Sequence, residues 1–164
     1  METADGSMPV FDYEKFKLIR ERSIGRLVWR MKRHLDATIE PQLHAQGYTD
    51  FKMSYLMFLA NIDQNGTTNN ELAKLAGITK QAMSKIASSL EEAGYVYTQP
   101  HVKDARATLL FLNERGKALF QDMKVVVESV YQNFEGIIGH ERLENFIETM
   151  LDILKTVENQ KVNE

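Results

Sequence analysis

A chain of 164 residues, 43% hydrophobic and 26% charged, is long enough for one domain or two small lobes around a real core. It has no cysteine, hence no disulfide framework, thiolate nucleophile or thiol switch, and no apolar run approaches the roughly 20 residues that cross a bilayer. A net charge of −3 would by itself argue against a nucleic-acid partner, so the placement of the charges has to decide.

Residues 1–12 contain Gly, Pro and Asp and read as a flexible N-terminal arm. Met1 to Pro9 lacks a basic-then-apolar leader pattern, so a cytoplasmic protein is expected. From Tyr13 to about Gln46 the spacing of Phe16, Ile19, Leu27, Met31, Leu35 and Ile39 predicts one helix, closed by Gly47 and kinked at Pro41. Arg20, Arg22, Arg26, Arg30, Lys32 and Arg33 make it cationic, and they read as a solvated or intersubunit ion-pairing face before a phosphate-contacting one. Phe51 to Ile62 predicts a second helix rich in bulky residues, ended by the turn Asp63-Gln64-Asn65-Gly66.

Thr68-Asn69-Asn70-Glu71 has the spacing of a capping box, in which the Thr hydroxyl and the Glu carboxylate each satisfy an unpaired helix-start amide. A short helix should follow, with Leu72, Leu75 and Ala76 apolar and Gly77 able to end it in the left-handed conformation. Thr79 is a second N-cap. From Lys80 to about Ala93 a core stripe of Met83, Ile86, Ala87 and Leu90 opposes a polar stripe of Gln81, Ser84, Lys85 and Ser88. A face meeting only water is usually filled with Glu and Lys, whereas small hydroxyls, Gln and Lys near a helix start leave room for a DNA groove. Acidic residues wait until Glu91 and Glu92.

After Gly94 the period becomes extended. Tyr95 to Gln99 and Ala107 to Leu112 predict two strands, joined by a polar loop from Pro100 to Arg106 that would form a wing. Glu114 to about Ile138 then predicts a long helix, Gly139 a break, and His140 to Val157 a final helix. The basic residues Lys74, Lys80, Lys85, Lys103 and Arg106 fall in the helix pair and wing, while Glu135, Glu141, Glu144, Glu148, Asp152 and Glu158 gather at the other end. The outer helices carry more apolar surface than one subunit can bury, which predicts a homodimer.

In order and spacing, Glu71-Leu72-Ala73, Ile78-Thr79 to Leu90-Glu91-Glu92-Ala93-Gly94-Tyr95-Val96, Asp104-x-Arg106 and Leu112-Asn113-x-x-Gly116 resemble the MarR family of bacterial transcription regulators. Ala105 stands where that family often has a further Arg, and Asn113 replaces its Thr. The resemblance implies a mainly α protein with a small β-hairpin wing. A single domain over 13–158 would hold a winged helix-turn-helix lobe at 50–112 and a helical dimerisation lobe built from 13–48 and 113–158. It also implies a repressor acting as a homodimer on double-stranded DNA at a pseudo-palindromic operator. Gln81, Ser84 and Lys85 would face base edges or nearby phosphates, Thr79 and Lys80 would fix the helix start on the backbone, and Lys103 and Arg106 would serve the wing. Related regulators bind small aromatic or phenolic effectors. Trp29, Tyr55, Met57 and Phe58 could line such a site, although ordinary core is the first reading of each.

Other chemistry finds little support. His34, His44, His101 and His140 have no metal-ligand spacing, the serines have no nucleophile setting, and no glycine loop could cradle a phosphate, so neither metal, cofactor nor catalysis is expected. The rival from another class is a winged-helix module that binds protein without DNA, which the modest overall charge favours slightly.

Overall fold

The computed structural model describes residues 11–101 and 104–162, so nearly all of the expected N-terminal arm lies outside the described residues. They fall into two compact units that meet within one helix, between Ala37 and Thr38.

In the first unit, Asp12 caps α1 (Tyr13–Glu21) by accepting from the Lys15 amide at 3.0 Å. Arg22 leaves helical geometry (φ −98°, ψ 3°), and Ser23 accepts the first amide of α2 (Ile24–Ala45) from Leu27 at 3.0 Å. The single helix expected from Tyr13 to Gln46 is therefore two. The signal was present in Ser23, a residue type that favours helix starts over helix interiors. None of the described residues up to Ala37 is buried. The helix continues through Pro41, where a kink was expected, although Pro41 has no amide proton to give the Ala37 carbonyl.

In the second unit, Ile39 and Leu43 of α2 are buried. Glu40 accepts from the Met53 amide at 2.8 Å and so supplies the cap that Lys52 lacks at the start of α3 (Met53–Leu59), shorter than the expected Phe51 to Ile62. β1 (Thr67–Thr68), α4 (Asn69–Ala76), α5 (Lys80–Glu92), β2 (Val96–His101) and β3 (Asp104–Leu112) follow. The strands form one antiparallel sheet in the order β1-β3-β2. β1, absent from the sequence reading, is only two residues long and merges into the capping box. Phe51, Leu59, Leu72, Met83, Leu90, Tyr95 and Leu110 are fully or almost fully buried, and each contributes about 1.5–3 kcal/mol of apolar burial.

α6 (Glu114–Ile138) has the expected bounds. Asn113 caps it by accepting from the Glu114 amide at 2.8 Å, and Leu119, Met123, Val126 and Val130 form its buried row. Gly139, at φ 84°, separates it from α7 (His140–Val162), which runs past the expected Val157. Among the described residues of α7 only Leu143 is buried; Phe146, Leu151 and Leu154 are about half exposed. Among the described residues no helix is long and apolar enough to cross a membrane. The architecture is mainly α with a small β-hairpin.

Candidate nucleic-acid interface

The capping box forms as its spacing predicts. The Glu71 amide donates to the Thr68 hydroxyl at 3.2 Å, and Glu71 Oε2 accepts from the Thr68 amide at 2.8 Å. The Thr68 hydroxyl also donates to Glu71 Oε2 at 2.7 Å, and this bond first, then the one from the Thr68 amide, holds the Glu71 carboxyl below its ordinary value. The helix they start ends at Gly77, which sits at φ 63°, ψ 30°, a conformation that costs a residue with a Cβ about 1–2 kcal/mol. The Ile78 amide then bonds back to the Ala73 carbonyl at 3.0 Å, closing a tight turn onto Thr79. The Thr79 hydroxyl accepts from the Ala82 amide at 3.2 Å and starts α5.

Met83, Ala87 and Leu90 pin α5 into the core, and Ile86 is half-buried. Lys80, Gln81, Ser84, Lys85 and Ser88 are exposed on its other side, and no acidic residue lies in its first turn. Glu91 accepts from the Thr98 amide at 3.0 Å and the Thr98 hydroxyl at 2.8 Å, joining the end of α5 to β2. Thr79, Lys80, Gln81, Ser84 and Lys85 are thus brought together on one open surface at the start of one helix.

The hairpin departs from expectation. Much of the predicted Pro100 to Arg106 loop is strand: Pro100 pairs with Thr108 and His101 with Asp104, with a register shift between the two pairs. Proline is tolerated there because β2 is the sheet edge, where a missing amide donor costs no ladder bond. Arg106 therefore belongs to β3 and not to a loop. Lys103, and what the Arg106 side chain does, lie outside the described residues.

Arg115 was passed over as a spacer in the Leu112 to Gly116 motif. Its guanidinium forks onto Asp50, Nη1 to Oδ2 at 2.9 Å and Nη2 to Oδ1 at 2.8 Å, and Nη1 also donates to the Ala93 carbonyl at the end of α5. It lies 4.6 Å from the centre of the Tyr95 ring, and Tyr95 donates its hydroxyl proton to Asp50 at 2.6 Å. Burial alone would raise the Asp50 carboxyl, but the Tyr95 and Arg115 bonds outweigh it and hold the group below its ordinary value. Beside them the Tyr48 hydroxyl donates to Asp122 at 2.5 Å, and burial together with that bond pushes its phenol up to about 12. The end of α5, the turn before α3 and the start of α6 are thereby locked to one another. An Asp and an Arg 65 residues apart give no local spacing by which to foresee this.

The residues suggested for an effector site scatter. Phe58 is buried, Tyr55 half-buried and Met57 half exposed, while Trp29 belongs to the first unit and is also exposed, so ordinary core describes Phe58 but not Met57 or Trp29. Among the described residues no cluster of His, Asp and Glu could hold a metal ion. His44 instead pairs its Nε2 with the Phe51 carbonyl at 2.7 Å.

Two helices joined by a left-handed glycine turn, followed by a hairpin on the same core, define a winged helix-turn-helix protein. A model of the MarR family matches residues 49–107. The HTH-type transcriptional repressor Rv2887 of Mycobacterium tuberculosis is 30% identical over 112 residues, 68% of this chain and 79% of that one. A MarR transcriptional regulator from Methanosarcina mazei Go1 superposes with a TM-score of 0.68 at 22% identity, covering 83% of this chain and 96% of the other. CouR from Rhodococcus jostii RHA1, solved bound to p-coumaroyl-CoA, gives 0.64 at 19% identity over 84% and 93%. The chain belongs to the MarR family, whose members are DNA-binding transcription regulators and not enzymes.

Proposed function

We propose that this regulator is a homodimeric repressor that reads a pseudo-palindromic operator through α5 and is released by a small aromatic or phenolic effector. The observation that carries the reading is the open polar side of α5, where Gln81, Ser84 and Lys85 stand exposed while the opposite side is fixed in the core. Gln81 and Ser84 have the donors and acceptors to read base edges, Lys85 reaches base edges or phosphates, and Thr79 and Lys80 set the helix start on the backbone. The wing contributes Lys103 and Arg106, the latter to a minor groove where narrow A·T-rich segments concentrate negative potential. Self-association through a lobe formed by 13–48 and 113–158 places two such helices about 34–36 Å apart on successive major grooves. It is supported by the absence of any buried residue among the described residues up to Ala37 and by the half-exposed apolar side chains of α7. The effector class is supported by CouR, whose p-coumaroyl group is phenolic.

Selection of binding sites from random duplexes, followed by titration at several salt concentrations, tests the assignment. Gln81→Ala should relax preference at one base pair by about 1–3 kcal/mol. Arg106→Ala should weaken binding to every sequence and reduce the salt slope by about one. Unchanged affinity and preference in both variants would refute the interface.

A further inference from the structure

The start of α5 is held by the Thr79 cap and its length by the buried row Met83, Ala87 and Leu90. Its far end is held by a side chain from another helix. The guanidinium of Arg115, in the first turn of α6, donates to four oxygens: both of the Asp50 carboxylate, the carbonyl of Ala93 that caps α5, and, at 3.5 Å, the carbonyl of Gly47 just after α2. Tyr95, fully buried, lies against it with the ring centre 4.6 Å away and the hydroxyl on Asp50 at 2.6 Å. The turn that carries Asp50 is itself fixed without Arg115. The Tyr48 amide bonds to the Leu43 carbonyl at 3.1 Å, the Tyr48 hydroxyl to Asp122 of α6 at 2.5 Å, and His44 pairs with the Phe51 carbonyl at 2.7 Å. Arg115 therefore ties the end of α5 to a firm frame. Glu91 does less, because its bonds to Thr98 join α5 to the strand that follows it in the chain, and the two can tilt as one.

Direction matters more here than strength. Both side chains of the ion pair are more than a third exposed, so water screens their attraction. From Gln81 to Ala93 the helix runs roughly 18 Å, and a tilt of about 10° around its middle carries Gln81 by roughly 1.5 Å. Reading a base edge requires placement to within about 0.5 Å, whereas a lysine on its flexible stem follows a phosphate through such a shift. The planar guanidinium, with five donors, can lie edge-on to a carboxylate and still reach a carbonyl; a lysine ammonium has the charge but not the fork. We propose that Arg115 is a positioning residue for base recognition, an inference that rests on the reading of α5 given above. Forked onto Asp50, it holds the end of α5 against α6 and the turn before α3. It thereby sets which sequence Gln81 and Ser84 can read, with no contact to DNA of its own.

Titration of full-length Arg115→Ala, Arg115→Lys and Asp50→Asn chains tests this, against the duplex the parent selects from random sequence and against a scrambled duplex of the same length. The quantity read is the ratio of the two affinities at one salt concentration. A partly unfolded chain loses both affinities in proportion and keeps the ratio, whereas a misdirected helix lowers the ratio alone. The ratio should fall on the order of tenfold in Arg115→Ala and about as far in Arg115→Lys and in Asp50→Asn, which sets an amide donor against the guanidinium. Affinity for the scrambled duplex should stay within about twofold, with its salt slope unchanged. Adding Gln81→Ala to Arg115→Ala should lower the ratio less than Gln81→Ala does in the parent, because the two act on the same contact. Should Arg115→Ala fail to fold, the Lys and Asn variants carry the comparison. An unchanged ratio overturns the proposal, as does full restoration by Lys, which would make charge and not the fork the cause. A salt slope smaller by about one overturns it too, by making Arg115 a phosphate contact. A parent chain that prefers no duplex over another removes the reading of α5 itself.

Discussion

Arg115 does four things from one side chain: it forks onto Asp50, donates to the last carbonyl region of α5, covers the Tyr95 ring and anchors the first turn of α6. The Arg115 and Asp50 side chains are 37% and 42% exposed, so solvent screens the ion pair, and its share is at most about 1 kcal/mol. Its greater effect is on where α5 points. Because Asp50 titrates below its ordinary value, its contribution to stability is complete above the usual carboxylate range and is lost as pH falls through its lowered value. Asp50→Asn should therefore be less stable than the parent at neutral pH, and the gap should close in acid; a gap independent of pH would show that the carboxylate charge is irrelevant. Tyr48 gives the opposite sign. With its phenol raised from 10.0 to about 12, its contribution is complete below pH 10 and disappears as pH rises through 12. Tyr48→Phe should cost about 1 kcal/mol at neutral pH by leaving Asp122 without its donor, and should flatten the alkaline side of the denaturation profile.

At the level of elements, the start of α6 is pressed against the wing's root. The Asn113 amide donates to the Tyr95 carbonyl at 2.9 Å, and a Cβ added at Gly116 would stand 2.2 Å from that same oxygen. Only glycine allows this approach, which explains the last position of the Leu112 to Gly116 motif in steric terms. Gly116→Ala must part α6 from Tyr95, at a cost on the order of 3 kcal/mol. Thermal denaturation should show a drop of about 10 °C, and an unshifted midpoint would mean the helix start can slide freely. These observations mark what could be read from the sequence. Caps and stops written within four residues of their helix, at Thr68, Gly77, Thr79, Asn113 and Gly139, all form. The polar side of α5 was legible because a period of 3.6 separates it from Met83, Ala87 and Leu90. Features that depend on distant partners were not legible. β1 exists because Thr67 and Thr68 pair with Leu110 and Leu109, and the hairpin reaches His101 because Pro100 happens to lie on an edge. The break at Ser23 was local and could have been found, but the apolar spacing continues across it.

For the molecule as a whole, the fold offers one helix per chain to the proposed interface, and a single helix of this length covers only part of a major groove. Two are needed for specific binding, so DNA affinity and self-association should fall together. The last three turns of α7 are exposed throughout their described residues, including Ile153, Leu154 and Val157. A helix end with no apolar cover is marginal in water, and the proposed dimer would supply that cover from a second subunit. Leu154→Asp puts a charge on that surface without touching α5 or the hairpin. Sedimentation should show it shifted to monomer. Operator binding should weaken by at least about tenfold and become second order in protein concentration, while nonspecific duplex binding at low salt should change much less, since in the proposed interface it rests on cations that the substitution leaves in place. A Leu154→Asp chain that stays dimeric and binds its operator at full strength would remove α7 from the interface and place the contact between subunits on another surface.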